Sequence, residues 1–356
     1  VLAESGTGEW TFGVVQHHAI SDGWSSGVLV RDLRASYEAR VTGASRAQAP
    51  LAFQYADFAA WQRHVLQGET LEQLSHFWRT NLEGAPATLA LPLDHPRSAR
   101  QRYDGAVVEV HLDRDLRARL QRFSRDQHAT PYMVLLSTFA ALLSQWSQQQ
   151  DLVVGTTVAN RSQAGTEDLI GFFVNTLPIR LRVGAANSVA DLVQMAREAT
   201  LRAIDHQALP FEQLVDMIGH ERNPAVSPIV QVLFTYQQAG ASDFSLPGVE
   251  ITPVPVPHAS SKFDLTLAAD DREDGVSLFF EYRSDLFAEA TIRLVADRLV
   301  SGLEAIVSAA STAPMPVREI PFVTGAERHL LQQWNQTDHD FNEPRLIHQL
   351  FESQAQ

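Results

Sequence analysis

The sequence predicts a mixed α/β (α+β) fold, and three observations carry that expectation. Helical and strand periodicities interleave along the chain without the strict βαβ alternation of an all-parallel sheet. No internal repeat and no low-complexity tract interrupts them. At 356 residues, 45% of them apolar and 20% charged, the chain is long enough for two lobes that each bury a core.

The elements follow in order. Trp10–Gln16 alternates like a strand and leads into His17-His18-Ala19-Ile20-Ser21-Asp22-Gly23. Leu29, Leu33 and Tyr37 fall at i, i+4 and i+8, the stripe of an amphipathic helix over 24–37. A loop is expected over 41–52. Tyr55, Phe58 and Trp61 stand three apart on a second helix and read as a core stripe rather than a ligand box. Residues 71–83 are helical and stop at Gly84-Ala85-Pro86, and the Pro-punctuated run from Leu91 to Pro96 marks a boundary between lobes. Beyond it, 106–112 reads as a strand, 113–126 and 130–147 as helices, and 152–158 as a buried strand. A loop at 159–165 precedes the run Ile170–Arg180. Helices are expected at 188–205 and 211–219, strands at 228–237, 263–269 and 276–283, and a last helix at 288–308. Residues 312–326 are loop-like, and the polar stretch up to 345 reads as linker.

Composition removes several functions. A net charge of −14 without a basic stretch speaks against nucleic acid or an anionic membrane as partner. The absence of cysteine excludes a disulfide scaffold, a thiolate metal site and a thiol nucleophile. No run has the length of a membrane span and the first residues do not form a signal peptide, so the expected compartment is the cytoplasm. Neither a G-x-S-x-G elbow, a Walker A loop nor a dinucleotide glycine fingerprint is present, and serine acylation, phosphoryl transfer and nicotinamide chemistry lose ground. Asp270–Gly275 lacks the spacing of a calcium loop. Asp57, Glu212 and Asp216 are expected on solvated helix faces, and His206 in a structural role at a helix junction.

What is left is an imidazole. Successive strand residues face opposite ways, so only one of His17 and His18 reaches a given cavity, which argues against a chelating pair. A histidine can take or position a proton near neutrality. Asp22 can hold the turn through an Arg or backbone donors, and Gly23 permits a tight backbone and the close approach of a ligand. The same spacing also fits two core histidines at a strand end, with Ser21 or Asp22 capping the next helix. Local pattern alone leaves both readings open.

Five motifs in order extend the pattern. His17–Gly23 matches HHxxxDG, followed by Trp24-Ser25; Tyr55–Trp61 is a second motif; Ile170–Arg180 fits IGxFVNTLxxR; His206–Val215 reads HQALPFEQLV; and Arg222-Asn223-Pro224 through Val230-Gln231 is a looser fifth. The chain thereby resembles a condensation domain of a nonribosomal peptide synthetase, and Trp334-Asn335 with Ile347–Glu352 resembles the linker into an adenylation domain. The resemblance implies a chloramphenicol acetyltransferase-like fold of two lobes with mixed sheets flanked by helices and a tunnel between them. Residues 1–95 would be the remainder of the N-terminal lobe, 96–323 the C-terminal lobe, and 324–356 the linker. Only 17 residues precede His18, where family members carry a substantial segment. Much of that lobe is therefore expected to be missing or to belong to a separate piece, leaving this fragment inactive by itself.

The resemblance also implies the reaction: amide formation between a donor acyl or peptidyl thioester and the amine of an acceptor aminoacyl thioester. Both substrates ride on phosphopantetheine arms of carrier domains, and the domain itself takes neither metal nor bound cofactor. Carried over residue by residue, His18 is the catalytic imidazole. His17 supports the loop. Asp22 is structural and pairs with an Arg, either Arg161 or one upstream. The Gly23 amide faces the developing oxyanion. Three alternatives remain: an epimerization domain, a stand-alone coenzyme A-dependent acyltransferase, and a catalytically silent carrier-binding module. The retained Asp-Gly-Trp-Ser, the linker-like tail, and the presence of both His18 and Asp22 weigh against them in turn.

Overall fold

The computed structural model describes residues 1–44, 50–186, 188–219, 223–238, 244–254, 256, 259–309, 315–338 and 346–355. Most of the chain is built on one mixed six-stranded sheet. Its strands are β3 (Gly105–Asp113), β4 (Asp151–Val158), β5 (Asn175–Arg182), β6 (Val232–Gln238), β7 (Leu265–Arg272) and β8 (Gly275–Arg283), in spatial order β3-β8-β7-β6-β4-β5. The β4–β6 and β6–β7 pairs are parallel and the other three antiparallel.

Helices α4 (Arg114–Asp126), α5 (Pro131–Ser147), α6 (Val189–Asp205) and α8 (Glu289–Ser308) pack on this sheet and on one another. The run from Met133 to Leu143 explains α5. It is apolar almost all round, so the helix is buried on every side, and Thr130 caps its first turn from the side chain with Pro131 at the first position. Phe139, Phe234, Phe280 and Phe287 are fully enclosed between these layers.

A separate antiparallel hairpin, β1 (Leu2–Gly6) and β2 (Glu9–Phe12), opens the chain. Trp10 and Phe12 on it stay exposed at 58% and 50%. Helix α1 (Gly23–Thr42) follows, closed by Gly43 in the left-handed region at φ 69°. The Leu29, Leu33 and Tyr37 stripe of α1 is half-buried, and only Ser25 and Val28 on this helix are enclosed. Next come α2 (Tyr55–Val65) and α3 (Gly68–Leu82). Helix α3 packs with the large core: Trp78 is 1% exposed, and its Nε1 donates to the His206 carbonyl beside α7 (Phe211–Ile218).

The structure differs from the sequence reading at several ends. The strand expected over 10–16 stops at Phe12, and residues 13–17 have no regular partner strand; the alternation argument therefore does not separate His17 from His18. The strand expected from 228 starts at Val232, because Ile229 takes φ 62° behind Pro228 and breaks the extended run. Of the expected loop over 41–52, residues 45–49 lie outside the described residues. So do Arg222, residues 312–314, and residues 339–345 of the expected polar linker. Two short helices, α9 (Gly325–Trp334) and α10 (Ile347–Ala355), occupy the described part of the tail. No helix among the described residues is long and apolar enough to cross a membrane.

Candidate active site

The His pair sits on a short turn. His17 is extended, and His18–Ile20 forms one 3-10 turn with Ile20 N donating to the His17 carbonyl at 3.0 Å. Both rings are exposed. The two rings are nevertheless held in opposite ways. His17 Nδ1 accepts the Ala19 amide at 3.1 Å, so that nitrogen's lone pair is in use. His18 Nδ1 lies 2.6 Å from the Ser21 carbonyl, which can only accept. The neutral His18 ring therefore carries its proton on Nδ1 and presents a bare lone pair at Nε2. The Phe172 ring meets it edge to face, centroids 5.0 Å apart at 84°. His17 and His18 are thus surface groups beside a capped helix rather than satisfied core histidines.

Asp22 starts α1, its side chain accepting the Ser25 amide at 2.8 Å. The same Oδ1 receives Arg161 Nη2 at 3.1 Å, while Oδ2 takes the amides of Phe173 at 2.9 Å and Val174 at 3.2 Å. Burial by itself would raise the Asp22 carboxyl; the Ser25, Phe173 and Arg161 donors outweigh it and hold the group below its ordinary value. Burial in turn draws the Arg161 guanidinium down from its ordinary value, opposed by Asp22. The side chains of this pair are 3% and 2% exposed. Arg161 also donates to the carbonyls of Leu169 at 2.8 Å and of Thr166, and to Ser25 Oγ at 2.8 Å, with its guanidinium 4.0 Å over the Phe173 ring.

Gly23 is the first residue of α1. The tight backbone expected of it is not found: its φ lies outside the left-handed region, and a Cβ there would meet open space. Nothing in the described chain requires glycine at this position.

The loop 159–174 closes over the first turn of α1 through groups that the sequence placed in motifs without showing what they contact. Ser25 Oγ donates to the Gly171 carbonyl at 2.8 Å and accepts its amide at 3.0 Å. Trp24 Nε1 donates to the Glu167 carbonyl at 2.9 Å, and Tyr55 Oη to that of Phe172 at 2.7 Å. Phe58, Leu169 and Phe173 form a small apolar cluster below, with Phe53 and Tyr55 against it. The 55/58/61 spacing marked a core stripe, and Phe58 is indeed buried there, but Trp61 is 40% exposed. No local signal pairs these residues with a loop more than a hundred positions away.

The remaining candidates lie elsewhere. Asp57 caps its own helix by accepting the Gln54 amide at 2.8 Å. His206 ends α6, stacked on Phe77 at 3.5 Å. Asp271 accepts from Tyr236 Oη at 2.6 Å and from Arg117. Glu212 and Asp216 lie on α7. Cavities of about 510 and 950 Å³ are lined around Gln101, Ser227 and Pro228, away from His18, which sits on an open face.

A family model described as the condensation domain matches residues 2–331. Malpinin synthetase of Mortierella alpina is 39% identical over 345 residues, which is 96% of this chain and 4% of that protein. A phosphinothricin tripeptide synthetase of Streptomyces viridochromogenes is 39% identical over 345 residues, 95% of this chain and 31% of its own length. The chain thus spans less than a third of either relative. The X-domain from teicoplanin biosynthesis shares the fold at TM-score 0.77 and 28% identity, covering 85% of this chain and 70% of that one. The first condensation domain of the CDA synthetase does so at 0.66 and 21%, covering 85% and 64%, a likeness of fold. These neighbours have the chloramphenicol acetyltransferase-like architecture, and this chain belongs to the condensation-domain family of nonribosomal peptide synthetases.

Proposed function

We propose that this chain forms an amide between a donor acyl or peptidyl thioester and the amine of an acceptor aminoacyl thioester, both delivered on phosphopantetheine arms of carrier domains. The observation that carries the reading is the opposite locking of the two histidines: His18 offers a bare Nε2, whereas His17 Nδ1 is occupied by a backbone amide. The acceptor nitrogen attacks the thioester carbonyl carbon, the C–N bond forms and the C–S bond breaks. The proton lost by the amine passes by way of His18 Nε2 to the departing thiolate, leaving a free thiol. Holding the amine in line is itself worth several kcal/mol. Gly23 brings the positive end of α1 to the developing oxyanion. Asp22 and Arg161 act through architecture. His17 supports the turn.

In this reading residues 1–95 contribute to one lobe, 96–323 form the other, and 324–356 lead to an adenylation domain. The partners are the flanking carrier domains, the compartment is the cytoplasm, and the domain supplies neither metal nor cofactor of its own.

The test uses the full-length protein carrying this sequence, with donor and acceptor loaded on their carriers and the product read by mass spectrometry. His18→Ala is expected to cut the rate by about 10²- to 10⁴-fold with the fold intact, and His17→Ala by far less. Equal losses in two folded variants would remove the distinction between the histidines. Efficient turnover of free coenzyme A thioesters would favour a stand-alone acyltransferase instead.

A further inference from the structure

Resting on that amide-forming reading, we propose that Phe172 is the positioning and selectivity residue of the His18 site: its ring fixes the imidazole and forms the wall past which the acceptor amine reaches Nε2. The argument starts with the backbone. From Gly171 to Val174 the chain is held by side chains of the N-terminal elements. Gly171 N and O both bind Ser25 Oγ, at 3.0 and 2.8 Å. The Phe172 carbonyl takes Tyr55 Oη at 2.7 Å, and the amides of Phe173 and Val174 reach Asp22 Oδ2 at 2.9 and 3.2 Å. The Tyr55 ring also fills the space beside Gly171, where an added Cβ would come 2.2 Å from Tyr55 Cδ2. Residue 172 is therefore fixed from both sides and from behind.

The side chains along this segment alternate. Phe173 turns inward and is 2% exposed, packed with Phe58 and Leu169. Phe172 turns the other way and is half-buried, with its ring against His18. A backbone held this firmly that leaves an aromatic half in solvent stabilises the fold less than an inward one would, so the benefit of Phe172 lies in what its ring touches.

His18 needs that contact. Its Nδ1 bond to the Ser21 carbonyl holds one atom of the imidazole but leaves the ring free to tilt about that atom. An edge-to-face aromatic neighbour restricts the tilt, favouring one orientation by roughly two- to tenfold. The same ring lies against the imidazole whose remaining free lone pair is at Nε2. On the proposal, an amine approaching Nε2 passes this ring, and a substituent on the acceptor's α-carbon meets it as a wall.

The experiment compares Phe172→Ala, Phe172→Leu and Tyr55→Phe in the full-length protein, the last removing only the hydroxyl that holds the Phe172 carbonyl. Glycyl and valyl N-acetylcysteamine thioesters serve as acceptors, and ring nitrogen shifts of His18 and His17 are followed by ¹⁵N NMR. Phe172→Ala is expected to lower kcat about tenfold with donor KM unchanged, and to shift the valyl-to-glycyl preference several-fold toward valine. Phe172→Leu should fall between, and Tyr55→Phe should move both quantities in the same direction by less. The wild-type His18 signal should show the Nδ1-protonated tautomer, and Phe172→Ala a mixture, with His17 unchanged. A folded Phe172→Ala with wild-type kcat, preference and His18 signal would overturn the proposal. Should Phe172→Ala not fold, Phe172→Leu and Tyr55→Phe decide by the same readouts. An unaltered protein that forms no amide would count against the functional reading instead, and the His18 signal would still settle the role of Phe172.

Discussion

Behind the six-stranded sheet, Phe139, Phe234, Phe280 and Phe287 lie fully enclosed among leucines and valines, whereas around His18 the corresponding task falls to Asp22, Ser25 and Arg161. Each large apolar side chain in the first region contributes about 1.5–3 kcal/mol by leaving water, and many share the load. The second region has only a small apolar cluster, built on Phe58, Leu169 and Phe173. Its cohesion comes from polar bonds between segments that stand 117 to 152 positions apart in sequence. Hydrophobic contact is tolerant of small shifts, while hydrogen bonds to a buried carboxylate are directional. The sheet supplies stability, and the polar knot supplies position. A site that must hold one imidazole in one orientation is served by the second kind of packing.

The largest expected break in that comparison is Arg161→Ala. It leaves Asp22 buried with its cation gone, at a cost of about 3–5 kcal/mol. Because the sheet does not depend on the pair, amide exchange should rise in 18–26 and 159–174 and stay low in β7 and β8. Equal loss of protection in both regions would show a single cooperative unit. The Asp22 carboxyl adds a pH signature. Its folded value lies below the ordinary 3.8, so its contribution is present above that pH and is lost as pH falls through the lower folded value. Asp22→Asn should therefore flatten the stability slope below about pH 4, measured by acid unfolding of the two proteins side by side.

Most of the first region was legible in the sequence and little of the second. Met133–Leu143 is too apolar for a surface helix, and Ala106–Leu112 and Val276–Arg283 alternate as strands do, so α5, β3 and β8 stand where periodicity puts them. The ends were harder. Nothing in Gly13–Gln16 announces that pairing stops at Phe12, and the left-handed Ile229 before β6 is not a residue type that marks a break. At the site, His17, His18, Asp22 and Gly23 were legible because they are contiguous. Ser25, Tyr55 and Phe172 stood within the motifs, but their roles were not legible, since these are hydrogen bonds and ring contacts across more than a hundred residues, and such pairings leave no local period.

Two glycines sharpen the comparison at a smaller scale. An alanine Cβ at Gly302 on α8 would approach Phe322 Cε1 to 2.3 Å, and one at Gly171 would approach Tyr55 Cδ2 to 2.2 Å. Both substitutions overpack an aromatic ring, which costs about 1–3 kcal/mol. Their consequences should separate. Gly302→Ala strains the large core and should lower Tm with little change in amide formation. Gly171→Ala pushes Tyr55 off the Phe172 carbonyl and should lower kcat while Tm moves little. The comparison fails if both glycines change the same quantity.

The smallest effect expected is at Trp24, whose Nε1 donates to the Glu167 carbonyl at 2.9 Å while half of the ring stays exposed. Trp24→Phe keeps an aromatic over Arg161, 5.8 Å from the present ring centroid, and removes one hydrogen bond at the loop's outer edge. A single neutral bond of this kind contributes about 0.5–1.5 kcal/mol. The carbonyl it leaves is near solvent and can bind water, so the loss should sit at the low end. Arg161 and Ser25 still hold residues 166–171 from inside, and His18 is not touched. Exchange at 166–169 should therefore quicken a few-fold, with amide formation within about twofold of wild type. If Trp24→Phe instead matched Arg161→Ala, the loop would be held from its rim and not from the buried carboxylate, and the polar knot around Asp22 would lose its place as the organiser of the site.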